Sequence, residues 1–328
     1  MKPKVVITDN VFEDFEPERS ILEAGGCGVV EAQSKTEADV IAATNDADCV
    51  IAMFAPVTAK TIEAMAKAKA IIRNGIGYDN IDVEAARRRG IPVCNIPDYC
   101  IDEVADHTLG LILALTRQLM PNTDVFRDGN WALAVEPERM LTLKRLTVGI
   151  IGLGRIGRAV AERLRPFKCR MLVFDPAVDN ETVRTFGGEP VALDQLYAEA
   201  DIVSLHCACN DATRKMINAD SLAKMKRTAL LVNVGRGGLV DGGALCEALH
   251  AGRLAGAALD VTDPEPLPRD HPLRNAPNLI ITCHIASWDA AGMRAMRERC
   301  ARMALQAVRG EPLPNIVNGV VPGVEKGA

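Results

Sequence analysis

Short runs that are apolar at almost every position recur along the chain, separated by stretches with helical spacing. A strand that is apolar on both faces is typical of a parallel sheet covered by helices on either side. Because the runs fall into two series, the sequence predicts an α/β chain with two parallel-sheet units. The first series lies at 4–9, 47–54, 70–79 and 91–97, and the second at 146–154, 169–175, 200–207, 228–235, 254–261 and 279–284.

The length of 328 residues, with 48% apolar side chains, suits two domains rather than one. A long helix is expected from about 102 to 120, where the first series gives way to the second. A helix at 291–310 and the tail after it are too short for a third domain, so they should return to the first. The predicted domains are a discontinuous one, 1–103 with 289–328, and a continuous one, 104–288.

Charge and hydropathy argue against several classes of partner. The net charge of −5 and the pI near 5.7 provide no basic surface for nucleic acid or an anionic membrane. The longest apolar run, from His107 to Arg117, is too short to span a bilayer, and the N-terminal segment has no signal-peptide pattern. We therefore expect a cytoplasmic protein without a nucleic-acid or membrane partner.

Ten cysteines are scattered through mostly apolar segments. Only Cys207 and Cys209 are close together, and no second pair of Cys or His stands at the spacing of a zinc site. We expect buried thiols in a reducing compartment and no metal.

A glycine-rich motif, GLGRIG, follows the apolar run TVGII and opens a stretch with helical spacing. The motif alone is weak, but the strand before it and the helix within it indicate a dinucleotide-binding Rossmann domain. Gly152 would form the tight turn, Gly154 would let the backbone approach the pyrophosphate, and Gly157 would allow helix and strand to pack closely. The helix N-terminus, including the amides of Arg155 and Ile156, would bind the pyrophosphate.

A second strand ends at Asp175, shortly after the glycine motif. A carboxylate there can accept hydrogen bonds from the adenosine ribose and would repel a 2′-phosphate. Because Pro176 rather than an arginine follows, NAD is expected rather than NADP. The alternative is that Asp175 is only a turn residue before a proline.

Three ionisable residues stand at or just beyond the ends of successive strands after the cofactor motif: Arg236, Glu265 and His284. The carboxyl ends of parallel strands line the ligand crevice of such a sheet, so these side chains can converge. Each alone could be a surface or packing residue, but their shared placement favours one site. His206 also ends a strand but has no paired carboxylate, and His107, on the apolar helix, is expected to be structural.

Several segments stand in a fixed order along the chain: RNGIGYDNID, GIIGLGRIGRAVAERL, LLVNVGRGGLVDGGAL, GAALDVTDPEPLP and HPLRNAPNLIITCHIA. Together they resemble the NAD-dependent D-isomer-specific 2-hydroxyacid dehydrogenases, a family that includes phosphoglycerate dehydrogenase, glyoxylate/hydroxypyruvate reductase and the C-terminal binding proteins. The resemblance covers nearly the whole chain and implies a flavodoxin-like substrate domain in addition to the Rossmann NAD-binding domain. The segments IPDYC and GRGGLVD are most similar to the C-terminal-binding-protein branch.

The resemblance also implies roles for individual residues. Arg236 would bind the substrate, His284 would be the acid or base, and Glu265 would be its partner. For the substrate, the amides of Ile76 and Gly77 would hold the carboxylate, and Arg73 would be a further contact. For the cofactor, Asp260 would bind the nicotinamide carboxamide, and the backbone of Cys207 and Val234 would pass along it.

The chemistry of hydride transfer requires these residue types. Hydride arriving at a ketone carbon builds negative charge on the carbonyl oxygen, which needs cationic donors such as Arg236 and protonated His284. A carboxylate hydrogen-bonded to the imidazole, at Glu265, would favour its protonated form and fix its orientation. In the reverse direction neutral His284 would act as the base.

Two residues beside His284 depart from the family pattern. Cys283 stands where proline is usual, and Trp288 stands where many relatives have small residues. Trp288 could contact the substrate or pack in the core.

Two functions remain open. The presence of all three catalytic residues favours an enzyme that interconverts a 2-keto acid and a D-2-hydroxy acid. The alternative is an NAD(H)-sensing interaction protein of the C-terminal-binding-protein type, with little turnover. Relatives are usually dimeric through the NAD-binding domain, so a homodimer is expected, and the apolar helix at 107–115 would suit that interface or the core between domains.

Overall fold

The computed structural model describes residues 2–321 and divides into two compact units. The first unit comprises the residues up to Tyr99 and those from Asp289 onward, and the second comprises Cys100–Trp288. Within the described residues, no helix has both the length and the apolar composition that a membrane crossing requires.

Strands and helices alternate along both units. The strands are β1 (Lys4–Ile7), β2 (Gly28–Glu31), β3 (Cys49–Ala52), β4 (Ile71–Arg73), β5 (Val93–Cys94), β6 (Thr147–Ile151), β7 (Arg170–Phe174), β8 (Glu189–Pro190), β9 (Ile202–Leu205), β10 (Leu230–Asn233), β11 (Gly256–Leu259) and β12 (Leu279–Ile281). The α-helices are α1 (Glu16–Ala24), α2 (Glu37–Thr44), α3 (Ala59–Ala64), α4 (Val83–Arg88), α5 (Ile101–Thr116), α6 (Leu119–Arg127), α7 (Arg155–Leu164), α8 (Asn180–Thr185), α9 (Leu193–Glu199), α10 (Ala219–Lys224), α11 (Gly242–His250) and α12 (Ala290–Arg309).

The first unit is built on a parallel sheet with the strand order β2-β1-β3-β4-β5. This is the flavodoxin-like order. Val5 and Ile7 of β1 lie in one hydrophobic core, and Val6, between them, lies in another on the opposite face. Since successive strand residues face opposite sides of a sheet, burial on both faces explains the continuous apolar runs.

The C-terminal helix α12 packs on α1 and β3 of the first unit. Asp289 caps its N-terminus by accepting a hydrogen bond from the Gly292 amide, and Gly310, in the left-handed region at φ 72°, ends it. The Nη2 atom of Arg297 is 2.7 Å from Oε2 of Glu18 on α1, and both side chains are buried. Because either charge alone would be costly in this core, the ion pair ties α12 to α1.

The second unit is built on a parallel sheet with the order β12-β11-β10-β9-β6-β7-β8. Its first strand, β6, lies inside the sheet, with β7 and β8 on one side and β9 to β12 on the other. This is the doubly wound Rossmann arrangement, in which a ligand binds at the carboxyl ends near the point where the strand order reverses, here between β6 and β9. The predicted fold class of two doubly wound parallel sheets is therefore confirmed.

The helix predicted from 102 to 120 is in fact two helices. α5 ends at Thr116, and Gln118 adopts a left-handed backbone with φ 51° before α6 begins at Leu119. Pro121, in the first turn of α6, marks this break, because proline fits the first turn of a helix but cannot continue a helix that began before it. The buried face of α5 packs on α7, β10 and β11 of the same unit. The apolar helix therefore belongs to the core of the second unit.

Candidate active site

The glycine-rich loop after β6 has room for glycine only at two of its positions. Gly152 has φ 94°, and a Cβ atom there would lie 2.6 Å from the backbone nitrogen of Cys207. A Cβ atom at Gly157 would lie 2.1 Å from the carbonyl oxygen of Gly152. The tight turn and the close helix packing that the motif predicts are therefore both present.

The N-terminus of α7 offers a set of backbone donors. Among residues 2–321, the N–H groups of Gly154, Arg155, Ile156 and Gly157 have no protein acceptor, and no side chain caps the helix. A Cβ atom at Gly154 would meet open space. Unpaired amides and the positive end of the helix dipole form a site for an anionic group such as a pyrophosphate.

Asp175 lies directly after β7 and is tied to the glycine-rich loop. Its Oδ2 atom accepts a hydrogen bond of 2.6 Å from the Leu153 amide, and its Oδ1 atom accepts one of 2.8 Å from the Ala177 amide. The carboxylate is half-buried and keeps further acceptor capacity on each oxygen. This placement beside the loop is compatible with a ribose ligand, and the assignment of Asp175 to the ribose stays a prediction.

Val234 follows β10 directly, and Cys207 lies two residues after the end of β9. The backbone of Cys207 is the nearest neighbour of Gly152, so it borders the glycine-rich loop. Val234 is buried. Their contact with the cofactor stays a prediction.

His284 and Glu265 form a hydrogen-bonded pair. The loop after β12 carries His284 and the loop after β11 carries Glu265, and the His284 Nδ1 atom is 2.5 Å from Glu265 Oε1. Both side chains remain partly exposed. The backbone of His284 is in the left-handed region at φ 54°, which is uncommon for a residue with a side chain.

Arg236 follows β10, and the loop that holds it packs on the loop that carries Glu265. A Cβ atom at Gly237 would lie 1.9 Å from the carbonyl oxygen of Thr262. The Asn233 side chain donates a hydrogen bond of 2.8 Å to the Arg236 carbonyl, and Arg236 Nη1 donates one of 2.8 Å to the Gly235 carbonyl. The structure thus brings together the loops of all three predicted catalytic residues at the carboxyl ends of β10, β11 and β12.

Asp260, directly after β11, is buried and organises the turn around His284. Its Oδ1 atom accepts hydrogen bonds from the Thr282 hydroxyl at 2.6 Å and the Ile285 amide at 2.9 Å. Its Oδ2 atom accepts one from the Ala286 amide at 2.9 Å. Nothing in the sequence indicates this function, in which Asp260 binds the backbone that follows the histidine.

The rival imidazole, His206, is unsuited to donate protons. Burial lowers its pKa to about 4, so the ring is neutral at neutral pH. Its Nε2 atom is 2.8 Å from the Ser204 hydroxyl, and its buried Nδ1 atom has no hydrogen-bond partner among the described residues. His206 is therefore a packed, uncharged residue of the Rossmann core.

In the first unit, the predicted substrate residues lie at the end of β4, where Arg73 is the last residue, and on the loop after it, which carries Ile76 and Gly77. Among residues 2–321, the amides of Ile76 and Gly77 donate to no protein acceptor. The Arg73 guanidinium lies 5.8 Å from the centre of the Phe54 ring and donates a hydrogen bond to the Asn74 carbonyl. The two amides could bind an anion such as a carboxylate.

Trp288 is 50% exposed. The interpretation of Trp288 as a core residue is therefore wrong, and its contact with a substrate stays a prediction. Within the part of the chain that the structure describes, no group of three or more His, Cys, Asp or Glu side chains could hold a metal ion.

The chain is similar to known proteins over nearly its whole length. The family model described as D-isomer specific 2-hydroxyacid dehydrogenase, NAD binding domain, matches residues 109–286. A glyoxylate reductase from Korarchaeum cryptofilum is 36% identical over 97% of this chain and 96% of its own. The D-3-phosphoglycerate dehydrogenase of Homo sapiens is 36% identical over 96% of this chain and 58% of its own.

The chain belongs to the D-isomer-specific 2-hydroxyacid dehydrogenase family. Among solved structures, a D-lactate dehydrogenase from Aquifex aeolicus complexed with NAD and lactic acid has a TM-score of 0.83 at 28% identity, covering 96% of this chain and 99% of its own. The predicted family is thus confirmed, while the C-terminal-binding-protein branch stays a prediction.

This 2-hydroxyacid dehydrogenase is an NAD-dependent oxidoreductase. Its residues fit the dinucleotide. Gly152 and Gly157 allow the tight turn and the close packing of the loop, which a side chain at either position would prevent, and among residues 2–321 the amides at the start of α7 have no protein acceptor. The glycine-rich loop and the first turn of α7 would hold the pyrophosphate.

Proposed function

We propose that this dehydrogenase interconverts a 2-keto acid and a D-2-hydroxy acid, with His284 as acid and base, Glu265 as its partner and Arg236 as the substrate-binding cation. The single observation that carries the proposal is the 2.5 Å hydrogen bond between His284 Nδ1 and Glu265 Oε1. The carboxylate on Nδ1 fixes the orientation of the ring, and the other ring nitrogen, Nε2, is assigned the proton exchange with the substrate.

In the reducing direction, His284 Nε2 donates its proton to the carbonyl oxygen of the keto acid. The Glu265 carboxylate stabilises the imidazolium before transfer and keeps the ring in one orientation. In the oxidising direction, the neutral ring accepts the hydroxyl proton at the same nitrogen. The nicotinamide, when bound, supplies or accepts the hydride.

Arg236 provides positive charge for the oxygen on which negative charge develops. Its guanidinium is steadied by the hydrogen bond from Nη1 to the Gly235 carbonyl, and its backbone by the hydrogen bond from Asn233. The amides of Ile76 and Gly77, which have no protein acceptor among residues 2–321, are assigned to the substrate carboxylate, with Arg73 as a further cation.

A panel of keto acids tests the proposal. NADH oxidation is followed by absorbance with glyoxylate, hydroxypyruvate, pyruvate and larger 2-keto acids, and we expect turnover of at least one. If no acid supports NADH oxidation while NADH still binds, the result would contradict the proposal and favour the NAD(H)-sensing interaction protein.

The assignment of the proton donor is tested on the best substrate. His284→Ala should lower kcat by about a hundredfold or more while the NADH dissociation constant changes little. His250→Ala is the matched control, because the His250 Nδ1 atom contacts Cys246 of its own helix, at 2.9 Å from its carbonyl oxygen and 3.6 Å from its Sγ atom. Near-normal turnover by the His284 variant would remove His284 from the mechanism.

We also propose that the protein is a homodimer through the second unit. α6 and the segment after it carry exposed apolar side chains, here called the aromatic patch: Leu119, Phe126, Trp131 and Leu133. Trp131 is 93% exposed and packs edge to face with the Phe126 ring at 6.4 Å. Exposed clusters of this kind mark interaction sites, and a second copy would cover them.

A further inference from the structure

Behind the turn that holds His284, three polar side chains form a chain of hydrogen bonds. The Thr282 hydroxyl is 2.6 Å from Asp260 Oδ1, and the His107 Nε2 atom on α5 is 3.1 Å from the same hydroxyl. A hydroxyl has one proton, and here it is given to the carboxylate. His107 must therefore donate from Nε2, and the direction of the chain is from His107 to Thr282 to Asp260.

Asp260 in turn holds the backbone at the proposed proton donor and at the two residues after it. Its side chain binds the amides of Ile285 and Ala286, and its carbonyl oxygen accepts a hydrogen bond of 2.8 Å from the His284 amide. These bonds maintain the left-handed backbone of His284 at φ 54°. A non-glycine residue in that region is conformationally strained, so this backbone persists only where surrounding contacts hold it.

We propose that His107 and Thr282 are positioning residues for the proton donor: they orient the Asp260 carboxylate, which holds the turn that aims the His284 ring at the substrate. This inference rests on the proposed function, because it concerns the same histidine. It assigns a role to His107, which the sequence suggested was merely structural.

The geometry distinguishes this role from packing alone. The Asp260 side chain is buried, and His107 is only partly exposed, so the hydrogen bonds are shielded from competing water. An apolar residue of similar size at 107 would fill the same space on α5 but would donate no proton to Thr282. Loss of this donor frees the hydroxyl to rotate away from Asp260, and a small displacement of a catalytic group can cost a large factor in rate.

A pair of substitutions at position 107 separates the two roles. Glutamine carries an amide nitrogen the same number of bonds from Cα as the imidazole Nε2 and can donate to Thr282, whereas leucine cannot. We expect His107→Leu to lower kcat about tenfold or more with little change in the KM for NADH, and His107→Gln to recover most of the loss. Equal kcat values for both variants, whether normal or reduced, would overturn the proposal.

A double-mutant cycle tests whether His107 acts through the threonine. Thr282→Val keeps the shape and removes the hydroxyl, so the double variant with His107→Leu should be no slower than the slower single variant. Losses that multiply would show independent effects and would contradict the chain of hydrogen bonds. Thermal unfolding of each variant identifies any that fails to fold, in which case the comparison of the two 107 variants decides.

Thr116→Val is the matched control on the same helix. Thr116 is buried, and its hydroxyl donates to the Ile112 carbonyl, remote from the catalytic loop. We expect it to alter stability and leave kcat unchanged; a fall in kcat equal to that of His107→Leu would mean that any disturbance of α5 slows the enzyme. If the wild-type protein turns over none of the acids, the proposed function fails first, before any variant is compared.

Discussion

Gly237 packs against Thr262 so closely that a Cβ atom at position 237 would lie 1.9 Å from the Thr262 carbonyl oxygen. This approach presses the loop that carries Arg236 against the loop that carries Glu265. A methyl group there must push the two loops apart, because backbone atoms and not a flexible side chain stand in its way.

We therefore expect Gly237→Ala to lower kcat/KM at least tenfold on the best keto acid, since misplacement of about 1 Å is costly for catalysis. Steady-state kinetics measure this loss. Gly243→Ala is the control, because a Cβ atom at Gly243 would meet only the Asp241 side chain, at 3.4 Å, which is an ordinary contact. Equal activity of the two variants would mean that the loops move apart without consequence.

Asp175 should determine the choice of cofactor. Asp175→Ala is expected to raise the KM for NADH about tenfold and to reduce the preference for NADH over NADPH, since the carboxylate that repels a 2′-phosphate is gone. Initial rates with both cofactors measure the ratio. Asp179→Ala is the control: this residue caps α8 a few positions later and should affect stability only. A lower KM of the wild-type enzyme for NADPH than for NADH would show that the assignment of Asp175 is wrong.

Trp288 should determine the preference among substrates of different size rather than the rate of the chemical step. If its half-exposed indole ring contacts the substrate, Trp288→Ala should change kcat/KM for a large 2-keto acid about tenfold more than for glyoxylate. The same comparison with Trp131→Ala provides the control, because Trp131 belongs to the aromatic patch and not to the proposed substrate residues. Losses that are the same for every acid would indicate that Trp288 only supports the loop.

The aromatic patch should hold the homodimer together. Trp131→Asp is expected to raise the dimer dissociation constant by about a hundredfold or more, because a charge would have to leave water in the interface. Analytical ultracentrifugation over a range of concentrations measures it. Phe167, which is also exposed but lies outside the patch, serves as the control position for the same substitution. A wild-type protein that is monomeric at every concentration would exclude this interface.

His206 should make folding sensitive to acid. Burial holds its pKa at about 4, whereas 6.5 is the value expected in the unfolded chain. Between these pH values the unfolded chain binds a proton that the folded protein does not. The contribution of neutral His206 to the free energy of unfolding is therefore complete above pH 6.5 and is lost as the pH falls. The loss is about 1.4 kcal/mol for each pH unit in that window.

Urea unfolding at pH 7 and pH 5 measures the effect. His206→Gln should lose less stability between the two pH values than the wild type by roughly 2 kcal/mol. His250→Gln, which also removes a histidine, controls for the general effect of one titratable group fewer. An identical pH dependence of His206→Gln and the wild type would contradict a neutral, buried imidazole.

Hydrophobicity alone predicted the strands that are buried on both faces. Every residue of β3, β9, β10 and β11 is buried, so each strand is apolar at almost every position, with Ser204 in β9 and Asn233 in β10 as the polar exceptions. β2 and β8 were not predicted, because β2, GVVE, has only two apolar side chains and β8, EP, has only two residues. Their pairing depends on the neighbouring strand and not on their own composition.

The pairing of His284 with Glu265 was predictable because parallel strands end at one edge of a sheet. The link from His107 to Thr282 was not. A histidine on an amphipathic helix and a threonine after a strand belong to no recognised motif, and their separation of 3.1 Å depends on how α5 packs across the sheet. Such second partners of a catalytic group become visible only when side chains are placed in three dimensions.

The left-handed backbone at His284 restricts which other proton donors a redesigned enzyme could use at this position. Among acids, aspartate populates that region readily, whereas lysine, glutamate and tyrosine begin with a conformational penalty of about 1 kcal/mol. A library at position 284 should therefore be enriched in the short polar residues, and exchange of the acid for a longer one would first require the turn held by Asp260 to be rebuilt.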